Sequence, residues 1–115
     1  MLRPETTRFA PSPTGALHLG HAYAALLGHA AARDTGGCFL VRMEDLDQER
    51  CQARYETAIL EDLAWLGLRW DSPVRRQSKR LDLYRAALEV LTAQGLVYPC
   101  FCTRERLEAL RAEQK

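Results

Sequence analysis

The stretch RFAPSPTGALHLGH, residues 8–21, decides how the chain begins to fold. Proline cannot serve a central sheet ladder, so Pro11 and Pro13 should stop a short strand over residues 7–10. From Leu19 onward, apolar residues recur at three- and four-residue spacing, which predicts a helix with one apolar stripe. The stripe consists of Leu19, Ala22, Tyr23, Leu26, Leu27 and Ala30.

The next segments predict a parallel crossover. Gly36 and Gly37 should end the first helix, because glycine adopts the left-handed conformation that is common at helix ends. The continuous apolar run at residues 38–41 suits a strand that is buried on both faces. A strand, a helix and a second buried strand in this order are naturally connected as a parallel unit.

Three further helices are predicted. The second should close at Gly67, the third should be capped by Ser78 and stopped by Gly95, and the fourth should run from Thr103 to Lys115. Two or three strands are too few for a doubly wound sheet, which usually has about five or six, so the chain looks like a first half. The inward residues of the second helix are Tyr55, Ala58, Ile59, Leu63 and Leu66.

The composition is that of an ordinary globular chain, with 47% hydrophobic and 27% charged residues. The formal net charge of +1 indicates neither a general polyanion-binding surface nor an acidic tail, so any polyanion must be held by locally placed arginines. No apolar run approaches the roughly 20 residues of a membrane span, and no apolar signal core is present, so we expect a cytoplasmic protein. Cys38 should be a buried small residue and Cys51 an incidental thiol.

The loop between the first strand and the first helix has the features of a phosphate site. In an open parallel sheet, ligands bind beyond the carboxyl ends of the strands, where a helix N-terminus offers backbone N–H groups to an anion. His18 and His21 fall on one side of the first turn, and both imidazoles can donate hydrogen bonds to phosphate oxygens. Gly15 and Gly20 let a ligand approach the backbone closely. Taken alone, the histidine pair is also compatible with two exposed polar residues or with part of a metal site, although no cysteine or carboxylate lies at a matching position nearby.

Several motifs in order along residues 7–112 resemble the glutamyl branch of the class I aminoacyl-tRNA synthetases. HLGH is similar to the His-Ile-Gly-His motif of that class, and LVRMEDLD, residues 40–47, is similar to RIEDTD of the branch. The match continues through LAWLGLRWD, RRQSKR and YPCFCTRERLEAL. The resemblance implies an α/β fold, in which residues 1–115 form the N-terminal half of a Rossmann-type catalytic domain with parallel strands and crossover helices.

The resemblance also implies a reaction and its contacts. L-glutamate would be activated by ATP, with Mg²⁺, to glutamyl-adenylate and pyrophosphate, and the glutamyl group would pass to tRNA. His18 and His21 would be the catalytic residues. The implied ATP contacts are Pro11, Ser12, Thr14, Gly15, His18, Gly20 and His21. The implied glutamate contacts are Arg8, Phe9, Ala10, Pro11, Ser12 and Glu44.

Side-chain chemistry agrees with two of these implied roles. A planar guanidinium at Arg8 matches the side-chain carboxylate of glutamate with two parallel hydrogen bonds, and a neutral amino acid would leave it unpaired. Glu44, just past a buried strand, would accept the α-ammonium group, with an ordinary surface glutamate as the alternative. The other acidic residues of this motif should be structural, as caps or as partners of nearby arginines: Asp45 and Asp47, with Arg42 or Arg50.

Cys100 and Cys102 would supply half of a zinc site. Structural zinc takes four ligands, so the thiol pair is incomplete by itself. The branch that the chain resembles often completes such a site further along, in a small insertion that faces the tRNA acceptor end. We therefore expect residues 98–115 to begin a zinc-binding insertion, with Zn²⁺ bound in a longer parent protein and a reduced, metal-free pair as the alternative.

Nothing in the 115 residues resembles the second class I signature, Lys-Met-Ser-Lys-Ser, so we expect an N-terminal fragment or a truncated product with little catalysis of its own. Two kinds of relative share the motifs. Residues 17–32 and SPVRRQS, residues 72–78, favour the glutamyl-Q type, which attaches glutamate to the queuosine of tRNA(Asp). RERLEALRAEQK, residues 104–115, is closer to the discriminating glutamyl-tRNA type, whose tRNA is tRNA(Glu). A non-catalytic remnant that binds nucleotide or glutamate is the alternative of another class.

Overall fold

A computed structural model describes residues 3–113, and the chain divides into one compact unit that ends at Leu81 and a second that begins at Asp82. The predicted end of the last helix at Lys115 lies outside the described residues. No described helix is long and apolar enough to cross a membrane.

The first unit is a parallel sheet with crossover helices, as predicted. Its strands lie in the order β1-β2-β3, and all neighbours are parallel. In this register Arg8 lies opposite Leu40, and Arg42 lies opposite Arg75. The elements in chain order are β1 (Thr6–Phe9), α1 (Leu19–Asp34), β2 (Cys38–Met43), α2 (Ala53–Trp65), β3 (Arg75–Arg76) and a 3₁₀ helix (Gln77–Arg80).

The helix ends fall at the predicted glycines. Gly36 follows α1 with φ +66°, and Gly67 follows α2 with φ +77°; both are left-handed conformations that glycine adopts without steric cost. Ile59 and Leu63 of α2 are fully buried, as their spacing predicts.

The core lies between one face of the sheet and the two helices, and α1 approaches the sheet through small residues. Ala25 and Ala32 are fully buried, and the hydroxyl of Thr7 in β1 donates to the carbonyl of Gly28 at 2.6 Å. The predicted apolar stripe is not the face that packs on the sheet: Leu19 is 87% exposed and Tyr23 is 64% exposed. Small residues let the helix axis lie close to the strands, which the bulky stripe would prevent.

Strand β2 is buried on one face only, so the prediction of burial on both faces is wrong. Phe39, Val41 and Met43 are buried in the core, whereas Leu40 and Arg42 on the other face are half-buried. Alternate residues of a strand point to opposite faces, and α1 and α2 cover only the face of Phe39. For the same reason the expected burial of Cys38 is wrong, since this residue is exposed.

Asp71, in the loop between α2 and β3, binds both β2 and α1. Its carboxylate accepts from the backbone N–H of Phe39 at 2.7 Å and from the guanidinium of Arg33 at 2.8 Å. Its own N–H donates to the Phe39 carbonyl at 2.9 Å. Arg33 and the Phe39 amide hold the pKa of Asp71 below its ordinary value of 3.8.

The second unit contains α3 (Leu81–Ala93), which begins at the boundary, and α4 (Arg104–Glu113). Gly95 follows α3 with φ +71°, as predicted, and the Thr103 hydroxyl accepts from the N–H of Arg106 at the start of α4. The predicted cap at Ser78 is wrong, because Ser78 lies within the 3₁₀ helix and its side chain binds Asp45 instead.

Candidate functional site

The loop after β1 is held by the carbonyl groups of its two prolines. Both rings are buried, and Pro11 accepts from the N–H of Glu44 at 2.9 Å while Pro13 accepts from the N–H of Gln52 at 3.0 Å. Proline has no N–H that would need a partner when buried. The loop is thereby fixed to the end of β2 and to the start of α2.

His18 is the N-cap of α1, and its ring lies against that of His21. The Gly20 N–H donates to Nδ1 of His18 at 3.1 Å, and the His18 N–H donates to Nδ1 of His21 at 3.1 Å. The two rings are stacked with their centroids 3.7 Å apart. Because a neutral imidazole that accepts at Nδ1 carries its proton on Nε2, both rings are left with an Nε2–H donor. From the sequence, the backbone N–H groups of the first turn are expected to bind an anion, but the Gly20 N–H already donates to His18.

Gly20 leaves room for the ring of His18 in this arrangement. A Cβ at position 20 would lie 3.0 Å from Cε1 of His18 and 3.2 Å from its Nδ1, so the ring would have to move. His21 lines a cleft of about 300 Å³ with the loop residues that the resemblance assigned to ATP and glutamate. The other lining residues are Phe9, Ala10, Pro11, Ser12, Thr14, Gly15, Ala16 and Leu17.

Arg8 lies on the face of the sheet opposite to Phe39, and Glu44 follows the C-terminal end of β2. Neither residue lines this cleft. Arg8 lines a smaller cleft of about 100 Å³ together with Arg42 and Arg75. Glu44 follows β2, and its carboxylate accepts from the guanidinium of Arg42 at 2.7 Å. The structure therefore places His21 in the loop cleft and Arg8 beside Arg42. His18 stacks on His21 but lines another cleft, together with Leu17, Asp62 and Trp65.

The remaining acidic residues of the motif are structural, as predicted, but one partner differs. Asp47 pairs with Arg50 at 2.6 Å. Asp45 instead accepts from the hydroxyl and the N–H of Ser78, at 2.5 and 2.8 Å. Burial raises the pKa of Asp45, but the hydrogen bonds from Ser78, together with the charge of Arg76 and the backbone N–H of Asp45, leave that pKa below its ordinary value.

Two contacts within residues 42–78 are not predicted from the sequence. The guanidinium of Arg76 binds the carboxylate of Glu56 and so ties β3 to α2. From the sequence, Arg42 is a candidate partner of the aspartates, whereas in the structure it binds Glu44. The period-2 alternation of a strand could have revealed this second pair, because residues two positions apart share a face.

Cys100 and Cys102 do not form a zinc site with the residues that the structure describes. Within residues 3–113, no group of three or more cysteine, histidine or acidic side chains is placed to hold a metal ion. Both thiols are exposed and free, and the neighbouring Cys100 raises the pKa of the Cys102 thiol. Two thiols supply half of a tetrahedral set.

The chain is similar to proteins of one family along nearly its whole length. It is 60% identical over 102 residues to the glutamyl-Q tRNA(Asp) synthetase of Rhodobacter capsulatus, covering 89% of the chain and 37% of that protein. It is 56% identical over 108 residues to the glutamate–tRNA ligase of Thermosynechococcus vestitus, covering 94% of the chain and 22% of that protein. The chain thus spans between about a fifth and two fifths of the length of these curated relatives.

Solved structures agree with these sequence matches. The crystal structure of a glutamate tRNA ligase from Elizabethkingia meningosepticum, in complex with its amino acid, superposes with a TM-score of 0.81 at 38% identity. That match covers 96% of this chain and 24% of the other. Residues 5–115 match the family model described as tRNA synthetases class I (E and Q), catalytic domain. The chain therefore belongs to the class I glutamyl and glutaminyl tRNA synthetase family, within its catalytic domain.

Proposed function

We propose that this protein activates L-glutamate with ATP and transfers the glutamyl group to tRNA. In the first step an oxygen of the glutamate α-carboxylate bonds to the α-phosphorus of ATP as the bond to pyrophosphate breaks. No covalent protein nucleophile is needed, because positioning and charge stabilisation lower the barrier. Family membership supports the reaction class, and the relatives' names supply glutamate and tRNA.

The observation that carries the proposal is the stacked histidine pair at the start of α1. The two Nδ1 atoms accept backbone hydrogen bonds, which leaves the Nε2–H groups of His18 and His21 to donate to ATP phosphate oxygens. These donors are already oriented before the substrate binds, so no reorganisation is required when negative charge develops. Pro11, Ser12 and Thr14 of the anchored loop complete the proposed ATP contacts, with Gly15 and Gly20.

Glutamate recognition is proposed at the edge of β1 and β2. Arg8 would bind the side-chain carboxylate and Glu44 the α-ammonium group. The cleft that Arg8 shares with Arg42 supports this placement, because L-glutamate carries two carboxylates and one ammonium group. The other implied glutamate contacts, Phe9, Ala10, Pro11 and Ser12, line the separate cleft that also holds His21. Mg²⁺ would accompany ATP as part of the substrate. In a longer parent protein, Cys100 and Cys102 would supply two of the four ligands of a zinc site.

For the nucleic-acid substrate we propose the queuosine of tRNA(Asp). The glutamyl-Q tRNA(Asp) synthetase of Rhodobacter capsulatus is 60% identical to the chain, against 56% for a glutamate–tRNA ligase. The segment SPVRRQS, which contains β3, also favours this type. Transfer to tRNA(Glu) is the alternative, because several glutamate–tRNA ligases match the chain over similar lengths.

The test is glutamate-dependent exchange of pyrophosphate into ATP by the full-length parent protein, measured with and without tRNA. We expect exchange without tRNA, and glutamyl transfer to tRNA(Asp) that contains queuosine but not to the same tRNA without it. Transfer to tRNA(Glu) instead would select the other ligase type. ATP binding without any exchange would contradict the proposal and favour a non-catalytic remnant.

Two variants test the residue roles. Replacing Arg8→Ala should raise the KM for glutamate at least about tenfold, the scale of one charge-assisted hydrogen bond, and leave the KM for ATP unchanged. Replacing His21→Ala should lower kcat with a modest effect on glutamate. Arg54→Ala, an exposed arginine on α2, is the matched control. Equal losses for both substrates in the Arg8 variant would refute its carboxylate role.

A further inference from the structure

We propose that Arg42 is a positioning residue, which orients the carboxylate of Glu44 toward the α-ammonium group of the amino-acid substrate. This inference rests on the proposed function, and specifically on the ammonium-binding role of Glu44. Arg42 does not itself bind the ammonium group, since both are cations. It acts through Glu44.

The geometry of the ion pair leaves Glu44 free to bind a second cation. Nη2 of Arg42 donates to Oε1 of Glu44 at 2.7 Å, and no second hydrogen bond joins the two side chains. A carboxylate has about four lone-pair sites on its two oxygens, so Oε2 can accept from an ammonium group. Both side chains are little more than a third exposed, which leaves the pair accessible to a small substrate.

The backbone of Glu44 is fixed independently. Its N–H donates to the carbonyl of Pro11 at 2.9 Å, which joins the end of β2 to the loop that follows β1. The remaining freedom of Glu44 is in the rotamers of its long side chain, whose ordering costs entropy when a ligand binds. The bond from Arg42 restricts those rotamers before the substrate arrives.

The surroundings of Arg42 are poorly suited to a purely stabilising role. Nε of Arg42 is buried and has no hydrogen-bond partner in residues 3–113, and an unpaired buried donor costs stability. Arg8 and Arg75 line the same cleft, so like charges gather there. This cost is explained if the guanidinium is placed for Glu44, and if the two carboxylates of glutamate compensate the excess positive charge.

The experiment is a double-mutant cycle in the whole protein, read by glutamate-dependent pyrophosphate exchange. Arg42→Met should raise the KM for glutamate about tenfold, the loss expected for one charge-assisted hydrogen bond, and leave the KM for ATP unchanged. In the Glu44→Gln background the same change should have almost no further effect, because Arg42 acts through Glu44. Arg42→Lys, which keeps the charge without the planar fork, should restore part of the affinity.

The matched control is Arg50→Met, which removes an arginine from the exposed pair with Asp47 and should change neither KM. Independent effects of Arg42→Met and Glu44→Gln would overturn the inference while leaving the proposed function intact. An unchanged KM in the Glu44→Gln variant would remove the ammonium-binding role itself, and with it this inference. If Arg42→Met does not fold, as judged by circular dichroism, Arg42→Lys and Arg42→Gln take its place. A wild-type KM for glutamate in both variants decides against the inference.

Discussion

Replacing Gly37→Ala should destabilise the first unit more than any other glycine substitution near α1. Gly37 lies between α1 and β2, where the chain passes beside the start of β1. A Cβ at position 37 would lie 1.9 Å from the carbonyl oxygen of Glu5, and 2.6 and 2.7 Å from its backbone N and C. All three are backbone atoms, so no side-chain rotation can relieve the contact.

The magnitude follows from the bonds that the displacement would break. Glu5 accepts from the N–H of Cys38 at 3.1 Å, and its own N–H donates to the hydroxyl of Thr35 at 3.0 Å. Each hydrogen bond contributes about 1 kcal/mol, so their joint loss together with the shift of β1 should lower the free energy of unfolding by about 2–3 kcal/mol.

Urea unfolding followed by tryptophan fluorescence measures this loss, because Trp70 packs against the core of the first unit. Two glycines serve as controls that separate steric clash from backbone strain. In Gly36→Ala the new Cβ would meet open space, but the backbone at this position has φ +66°. This change should therefore lower the free energy of unfolding by about 1 kcal/mol. Gly15→Ala has neither clash nor positive φ, and should change stability by less than about 0.5 kcal/mol. A cost at Gly37 no larger than that at Gly36 would refute the reasoning.

Two further changes test the histidine arrangement and the acid stability. Gly20→Ala places a Cβ 3.0 Å from the ring of His18, so it should lower the rate of pyrophosphate exchange about tenfold, while a rate equal to wild type would show that the ring position is immaterial. The pKa of Asp71 is lowered in the folded state by Arg33 and the Phe39 amide, so its stabilising contribution is present above the unfolded value of about 3.8 and is lost as the pH falls through the lower folded value. In Asp71→Asn, the free energy of unfolding measured with urea should therefore fall less steeply below about pH 4 than in the wild type. An equally steep fall would contradict this.

The sequence was most informative where structure is determined locally. The prolines that stop a strand, the glycines that end a helix and the spacing of apolar residues predicted β1, the span of α1 and its termination at Gly36. These features depend on the conformational limits of single residues. Membership of the synthetase family followed from motifs whose spacing is equally local.

Contacts between distant residues were predicted less well. Asp71 binds Phe39 and Arg33, which are more than 30 positions away, and Ser78 binds Asp45 across a similar distance. No periodicity links such pairs. The packing face of α1 was also hidden, because hydropathy patterns weight large apolar side chains, whereas the close approach to the sheet depends on Ala25 and Ala32.

The two nitrogens of His18 serve different purposes. Nδ1 serves the fold by accepting the Gly20 amide, a task that an asparagine or serine oxygen performs as well at a helix start. Asparagine and serine lack the Nε2–H donor, which the imidazole presents on the opposite side of the ring from Nδ1. A library sorted for soluble, folded variants would accordingly retain asparagine and serine at position 18, and only a sort for turnover would discard them.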